Sequence, residues 1–387
     1  MVQRAVVTLA LYSLLSSNRT GIFLAFFPIY LVTVRNAQVA VSLFFMSAGY
    51  LGGSLVGPLA GRWSDRVRRR KPFLVGAELG GLPFYVAIPF LSNADYSGLS
   101  FVIGTIVLSV GTPALQAFVA DVTREKERGV SYGTLTASSA GGSIAGFLIV
   151  SLLIDSFGFS FLFYFAGVAM MGTVLYVLLY VPDVVSDGKR GMKSLGTLKP
   201  LILFSFVVSI RTLGSGAAGG FYGLWATIIG ASNFDVGLIA IAGLTATAVL
   251  GMQSGRLVDR HGELANLFIG TVIAVIAFSI FLVAPTWYFL LPAQAIRQLG
   301  FAMVSPAMLV WVSRIAPEGR RAEYLGIFAV INSSLWSLGP LMGGVAYQWG
   351  GPSAIFESAM LTGLASVAAI YLFHSRYRTS STAISSS

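Results

Sequence analysis

Three arginines stand inside stretches that are otherwise apolar: Arg19, Arg211 and Arg297. At ~1.5 Å of rise per residue each lies roughly 14–21 Å from the start of its stretch. That is mid-depth in a hydrocarbon layer about 30 Å thick. A central arginine costs about 2.5–3.5 kcal/mol to place there, so each must face protein, water or a ligand. A guanidinium fork matches carboxylates and phosphates, and the chemistry it offers is anion recognition. Only Glu78 and Glu357 could compensate these charges from within apolar stretches, two carboxylates against three cations. Each has two readings, as counter-ion to an arginine or as the titratable group of proton coupling. Helical spacing puts Phe23, Phe26 and Tyr30 on the face of Arg19, and Ser215, Tyr222 and Trp225 on that of Arg211. Such a wall either holds an organic body or packs against a neighbouring helix. Thr105, Ser109, Thr112 and Gln116 recur at i, i+4, i+7 and i+11 as an uncharged polar face, and Gln294 and Gln298 flank Arg297.

The elements that must position these residues follow from composition. The 387 residues are 56% hydrophobic and only 10% charged, where a soluble domain carries about 25% charged residues. Apolar runs fall near 5–34, 38–60, 72–92, 98–120, 130–154, 159–181, 200–229, 235–255, 264–284, 288–313, 323–347 and 353–373. Each is long enough to cross a bilayer at about 20 residues per crossing. Interior prolines such as Pro28, Pro83, Pro113, Pro292, Pro306 and Pro340 are expected to kink these helices without ending them. With the N-terminus inside, 21 of the 25 Lys and Arg fall on the cytoplasmic side, Arg35 alone falls outside, and three lie within segments. This positive-inside contrast predicts an N-in/C-in topology. The expectation is an all-α membrane protein of twelve transmembrane helices in two pseudo-symmetric six-helix bundles. Residues 1–182 form the first bundle, 183–199 a cytoplasmic linker, 200–378 the second bundle and 379–387 a disordered tail.

Several function classes are excluded. The chain has no cysteine and only two histidines, His261 and His374, both beside cytoplasmic ends. Neither a thiolate nor a histidine metal site is expected, no cofactor is implied, and an enzyme is disfavoured. A phosphate-binding Gly-x-x-x-x-Gly-Lys-Ser/Thr loop is absent, which excludes ATP hydrolysis by this chain. The first apolar run is too long for a cleaved signal peptide and reads as the first crossing. Because topology accounts for the basic residues, the net charge of +10 needs no nucleic acid. The expected partners are a small anionic substrate, protons or a counter-anion, and the lipid of the plasma membrane, with the chain acting as a monomer.

An internal duplication appears at about half the chain length. Gly61, Arg62, Asp65 and Arg66 match Gly255, Arg256, Asp259 and Arg260 at an offset of 194. Pro113, Ala114, Glu125, Arg128 and Gly133 match Pro306, Ala307, Glu318, Arg321 and Gly326 at 193, and Arg19-Thr20 matches Arg211-Thr212 at 192. Concordant offsets of this kind mark two parallel repeats, and transporters so built hold substrate near the midplane. The dense glycines Gly214, Gly216, Gly219, Gly220 and Gly223 in the seventh segment read as a close helix crossing.

At these residues the chain resembles the major facilitator superfamily, over essentially its whole length. The family signature Gly-x-x-x-Asp-Arg-x-Gly-Arg-Arg is met by Gly61, Asp65, Arg66, Arg69 and Arg70, with Arg68 in place of its second glycine. The stretch from Pro113 through Asp121 and Arg128 to Gly133 is similar to the family's segment 4–5 region. The resemblance implies that Asp65, Arg66, Arg69, Asp121, Arg128, Asp259 and Arg260 act in gating, and that segments 1, 4, 7 and 10 surround the substrate. Arg19 and Arg211 then resemble the paired arginines of organophosphate/phosphate antiporters. The arginine and Gly-Pro motifs of drug/proton antiporters lie in the wrong half here, at Arg297 and at Gly339-Pro340. The expected function is secondary transport of a small organic or phosphate-like anion by rocker-switch alternating access; the alternative is proton-coupled efflux of hydrophobic compounds.

Overall fold

In a computed structural model the chain is described over residues 2–123, 128–182, 198–317 and 321–385. Among these residues it is helical throughout. The helices are α1 (Val2–Ile29), α2 (Val39–Val67), α3 (Lys71–Ala87), α4 (Ala94–Ser109), α5 (Gly111–Val122) and α6 (Arg128–Phe157). They continue as α7 (Ser160–Tyr180), α8 (Lys199–Ile228), α9 (Asn233–His261), α10 (Glu263–Val283), α11 (Leu290–Ile315) and α12 (Arg321–Ser385).

These boundaries differ from the apolar runs at identifiable places. One expected crossing is split into α4 and α5 at Val110, because Pro113 has no amide hydrogen and its ring clashes with the carbonyl of Ser109 four residues back. Conversely, the last two runs merge into α12, which is broken only at Gly350 (φ −140°) and Gly351 (φ 69°) ahead of Pro352. Pro28 leaves α1 intact but is followed at once by a π-helical turn, Tyr30–Val34. The polar tail beyond 378 continues α12 as helix to Ser385, and neither Gly nor Pro follows Gly363 to stop it. Most of the expected linker, residues 183–197, lies outside the described residues.

Among the described residues, ten stretches are long and apolar enough to cross a membrane. The last of them, Glu323–Leu372, spans 50 residues, more than twice what one crossing requires. Asn233–Val249 is a shorter apolar helix. Outward faces carry large apolar side chains such as Val168, Leu361 and Leu179, at 75%, 66% and 65% exposure, suited to a lipid solvent.

The chain divides into two compact units, Met1–Ser194 with Gly220–Ile241, and Leu195–Gly219 with Ala242–Ser387. The end of α8 and the start of α9 thus count with the first unit. Glycine permits this packing: a Cβ at Gly223 would come within 2.7 Å of the Ala25 carbonyl oxygen, and one at Gly237 would strike the Ser151 side chain. The first unit's core joins Leu9, Phe73, Leu74, Ala114, Phe118 and Val177. Beside it, Phe27 stacks on Phe101 and Phe23 leans on Tyr85, with centroids 4.0 and 4.6 Å apart. In the second unit, Phe204 stacks on Trp311 within a cluster that includes Val208, Met308 and Tyr324.

Candidate functional site

Along α1, Tyr12, Ser16, Arg19 and Phe23 recur at helical spacing and reach one cavity of about 560 Å3. The other walls come from α2 (Tyr50), α3 (Glu78, Tyr85), α4 (Thr105, Ser109), α5 (Thr112) and α6 (Ser139, Ser143). All of these residues belong to the first unit.

The charge at its centre is paired. Arg19 Nη2 donates to Glu78 Oε1 at 2.7 Å and lies 2.7 Å from Oε2, while Arg19 Nη1 donates to the Ser16 carbonyl at 2.9 Å. The two side chains are only 5% and 2% exposed. Three buried polar atoms here have no hydrogen-bond partner among the described residues: Arg19 Nε, Ser13 Oγ and Glu78 Oε2. Oε2 meets Arg19 at ion-pair distance but outside hydrogen-bonding alignment. Nearby, the Tyr85 and Thr105 hydroxyls pair at 2.9 Å. Ser109 donates to the Ile106 carbonyl at 2.6 Å and Ser143 to that of Ser17 at 3.0 Å.

The sequence-derived candidates are distributed as follows. Arg19, Glu78, Thr105, Ser109 and Thr112 meet in this cavity. Gln116 is exposed and outside its lining. Tyr30 is buried near the far end of α3, where its hydroxyl accepts from Arg35 Nε at 2.7 Å and donates to the Ile88 carbonyl at 3.4 Å. Tyr222 is buried, and Trp225 stacks on Phe221. In the second unit Arg297 Nε donates to Gln294 Oε1 at 2.9 Å. Gln294 and Gln298 pack on Gly243, where a Cβ would come within 2.8 and 3.0 Å of their Cγ atoms. Glu357 is exposed. Arg211 is 4% exposed, its Nε is buried without a hydrogen-bond partner, and no carboxylate among the described residues pairs with it. Tyr12, Tyr50, Tyr85, Ser13 and Ser143 were not singled out from sequence; the i, i+4, i+7 row of Tyr12, Ser16 and Arg19 is the signal that points to the first of them.

A second polar centre lies where α2 meets α3. Arg70, 2% exposed, reaches Asp65 at 2.7 Å, Asp121 at 3.0 Å and the Ser64 hydroxyl at 2.8 Å. The resemblance implies gating roles for Arg66 and Arg69; both are exposed, and Arg70 is the hub of this network. Arg68 ends α2 in the left-handed region at φ 59°, a conformation glycine adopts at less cost. That accounts for the glycine in the family signature. The second unit holds a counterpart with its signs exchanged: Glu263 of α10 pairs with Arg314 of α11, each 193 positions beyond Arg70 and Asp121. Arg260 is exposed, while the side chains of Asp259 and Arg128 lie outside the described residues. Replacing Arg70 with alanine would strand Asp121 and Ser64, at an expected cost of about 2–3 kcal/mol. Arg66→Ala should stay within about 0.5 kcal/mol. Thermal unfolding of both variants in detergent checks the ranking, and equal shifts would remove Arg70 from the centre of the network.

Comparison with known proteins bears on the whole chain. The sequence pattern of the Major Facilitator Superfamily matches residues 9–209 and again 204–386. Multidrug resistance protein 2 of Bacillus subtilis (strain 168) is 25% identical over 369 residues, covering 85% of this chain and 87% of that protein. Hippocampus abundant transcript-like protein 1 of Bos taurus is 26% identical over 363 residues, covering 84% and 70%. Among solved structures, the nucleoside transporter NupG superposes with a TM-score of 0.80 at 14% identity over 96% of this chain and 99% of its own. The human organic anion transporter MFSD10 gives 0.70 at 16% identity over 95% and 99%. At these identities the structural likeness is one of fold.

Proposed function

The chain belongs to the Major Facilitator Superfamily, and on that premise we propose that it is a secondary transporter of a small organic or phosphate-like anion. It works by rocker-switch alternating access, as a monomer in the cell membrane. Arg211 carries this reading. A guanidinium buried to 4% exposure without a carboxylate partner among the described residues is costly to hold in hydrocarbon. A bound carboxylate or phosphate offsets that cost through two parallel hydrogen bonds. Glu78, held by Arg19, is the group we assign to proton coupling: protonation would cancel its charge and release the guanidinium. We also count twelve crossings with both termini inside. Glu323–Leu372 counts twice across its break at Gly350–Gly351, and Asn233–Val249 supplies the remaining one. The cysteine-free sequence allows single introduced cysteines to read that topology by labelling.

Arg211→Gln is expected to reduce anion uptake into proteoliposomes to background while the unfolding temperature holds. Arg211→Lys, which keeps the charge but loses the fork, should retain a small fraction. Wild-type uptake of succinate or phosphate by the Gln variant would overturn the reading. One observation favours the second reading, proton-coupled export of hydrophobic compounds: Glu78 neutralises Arg19, so the cavity has no net charge from that pair. Resistance to lipophilic cations in a pump-deficient host would favour it over anion transport.

A further inference from the structure

We propose that the cavity of the first unit binds an uncharged, polyhydroxylated ligand group, a sugar or cyclitol, which spans the Arg19–Glu78 pair. This inference concerns that unit alone and does not rest on Arg211. Its first support is charge. Arg19 and Glu78 already neutralise each other at 2.7 Å. A carboxylate or phosphate would meet Arg19 but set a second negative charge beside Glu78, and an ammonium would do the reverse beside Arg19. A neutral group avoids both.

The second support is the direction of the hydrogen bonds. Ser109 and Ser143 each spend their single hydroxyl proton on a backbone carbonyl. What they retain towards the cavity is acceptor lone pairs. Glu78 Oε2 is a further buried acceptor without a hydrogen bond, Ser13 Oγ is unpartnered and can act either way, and Arg19 Nε is the one unpartnered donor among these atoms. The cavity therefore asks for a ligand with several O–H donors and at least one acceptor. A polyol supplies both; an oxyanion supplies acceptors only. The third support is shape. About 560 Å3 falls within the ~300–1,000 Å3 of small-molecule sites. The rings of Tyr12, Phe23, Tyr50 and Tyr85 line it, and the C–H face of a cyclic polyol packs against such surfaces.

The test is a thermal-shift titration of the full-length protein in detergent, with D-glucose, D-ribose and myo-inositol set against succinate and inorganic phosphate. At least one polyol should raise the unfolding temperature saturably, as a ligand of the folded state does. Ser109→Ala and Ser143→Ala, on separate helices, should each weaken its apparent Kd about 3–10-fold, the range for one neutral hydrogen bond. Arg211→Gln should leave it unchanged. Absence of saturable stabilisation by all three polyols, or wild-type Kd in both serine variants, overturns the inference. The two readings fail separately: protection by succinate or phosphate without polyols removes this one and keeps the anion site, and the converse removes the anion site alone.

Discussion

Replacing Glu78 with leucine is expected to cost about 3–5 kcal/mol of folding stability, because it leaves Arg19 as an uncompensated buried charge. Arg19→Met strands Glu78 and should cost a similar amount. The pair is 5% and 2% exposed, so little water is at hand to screen whichever charge remains. The double variant Arg19→Met/Glu78→Leu removes both charges at once. Well-packed apolar replacement of a buried pair is often neutral or stabilising by about 1–4 kcal/mol, so the double variant should recover most of the loss. Unfolding temperatures of the four proteins give the coupling between the residues. Additive losses would mean that the two side chains do not depend on each other. The same four proteins separate scaffold from mechanism. If Glu78 carries the transported proton, the stable double variant keeps counterflow of an anion held at Arg211 but loses its accumulation driven by a pH gradient. Retained accumulation would remove Glu78 from proton coupling.

Mid-segment arginine in a hydrocarbon layer is legible because its cost demands a partner, and the repeat offset is legible because Arg19 and Arg211 recur with their neighbouring threonine. Rotation of one helix about its axis relative to another is not written in either chain segment alone. Glu78 is 59 residues from Arg19, and only the packing of α3 against α4 and α7 turns it inward. The same limit applied at Arg70. Among six basic residues between Arg62 and Lys71, nothing in spacing marks the one whose side chain is buried, since the turn at Arg68 interrupts the helical phase. Tyr30 shows the opposite error. Its phase along α1 agrees with Arg19, but the π turn begins at Tyr30, and its hydroxyl serves Arg35 and Ile88 instead of the cavity. The break between α4 and α5 was hidden for a simpler reason. Hydropathy is blind to a proline that changes backbone hydrogen bonding without changing polarity; at Pro113 the helical hydrogen bonds lapse at Val110, while Val110 keeps helical angles and Ala94–Val119 remains one span.

The second large effect is expected of Gly146→Ala, where α6 crosses α1. A methyl group there would fall on the Asn18 carbonyl oxygen of α1, and one at Gly142 on that of Leu14. These obstacles are backbone, so no rotamer change relieves them; α1 and α6 must separate. Overpacking commonly costs about 1–3 kcal/mol and occasionally more, and a clash with backbone puts Gly146→Ala at about 3 kcal/mol or above. The control lies within the same helix. A Cβ at Gly141 meets nothing within 4 Å, so Gly141→Ala should be neutral or gain about 0.5–1 kcal/mol from helix propensity. The second unit repeats the device 193 positions on, where a Cβ at Gly339 would fall on the Leu213 carbonyl oxygen and within 2.6 Å of the Ala217 amide nitrogen. Gly339→Ala should therefore match Gly146→Ala in cost. Asn18 and Arg19 are adjacent on α1, so forcing α1 off α6 also moves the guanidinium from its 2.7 Å contact with Glu78. Gly146→Ala should for that reason lower transport even at temperatures where the variant remains folded. Unfolding temperatures and uptake for Gly141→Ala, Gly146→Ala and Gly339→Ala decide the matter. Should Gly146→Ala behave like Gly141→Ala in both, the crossing has room to spare, and it does not set the distance between Arg19 and Glu78.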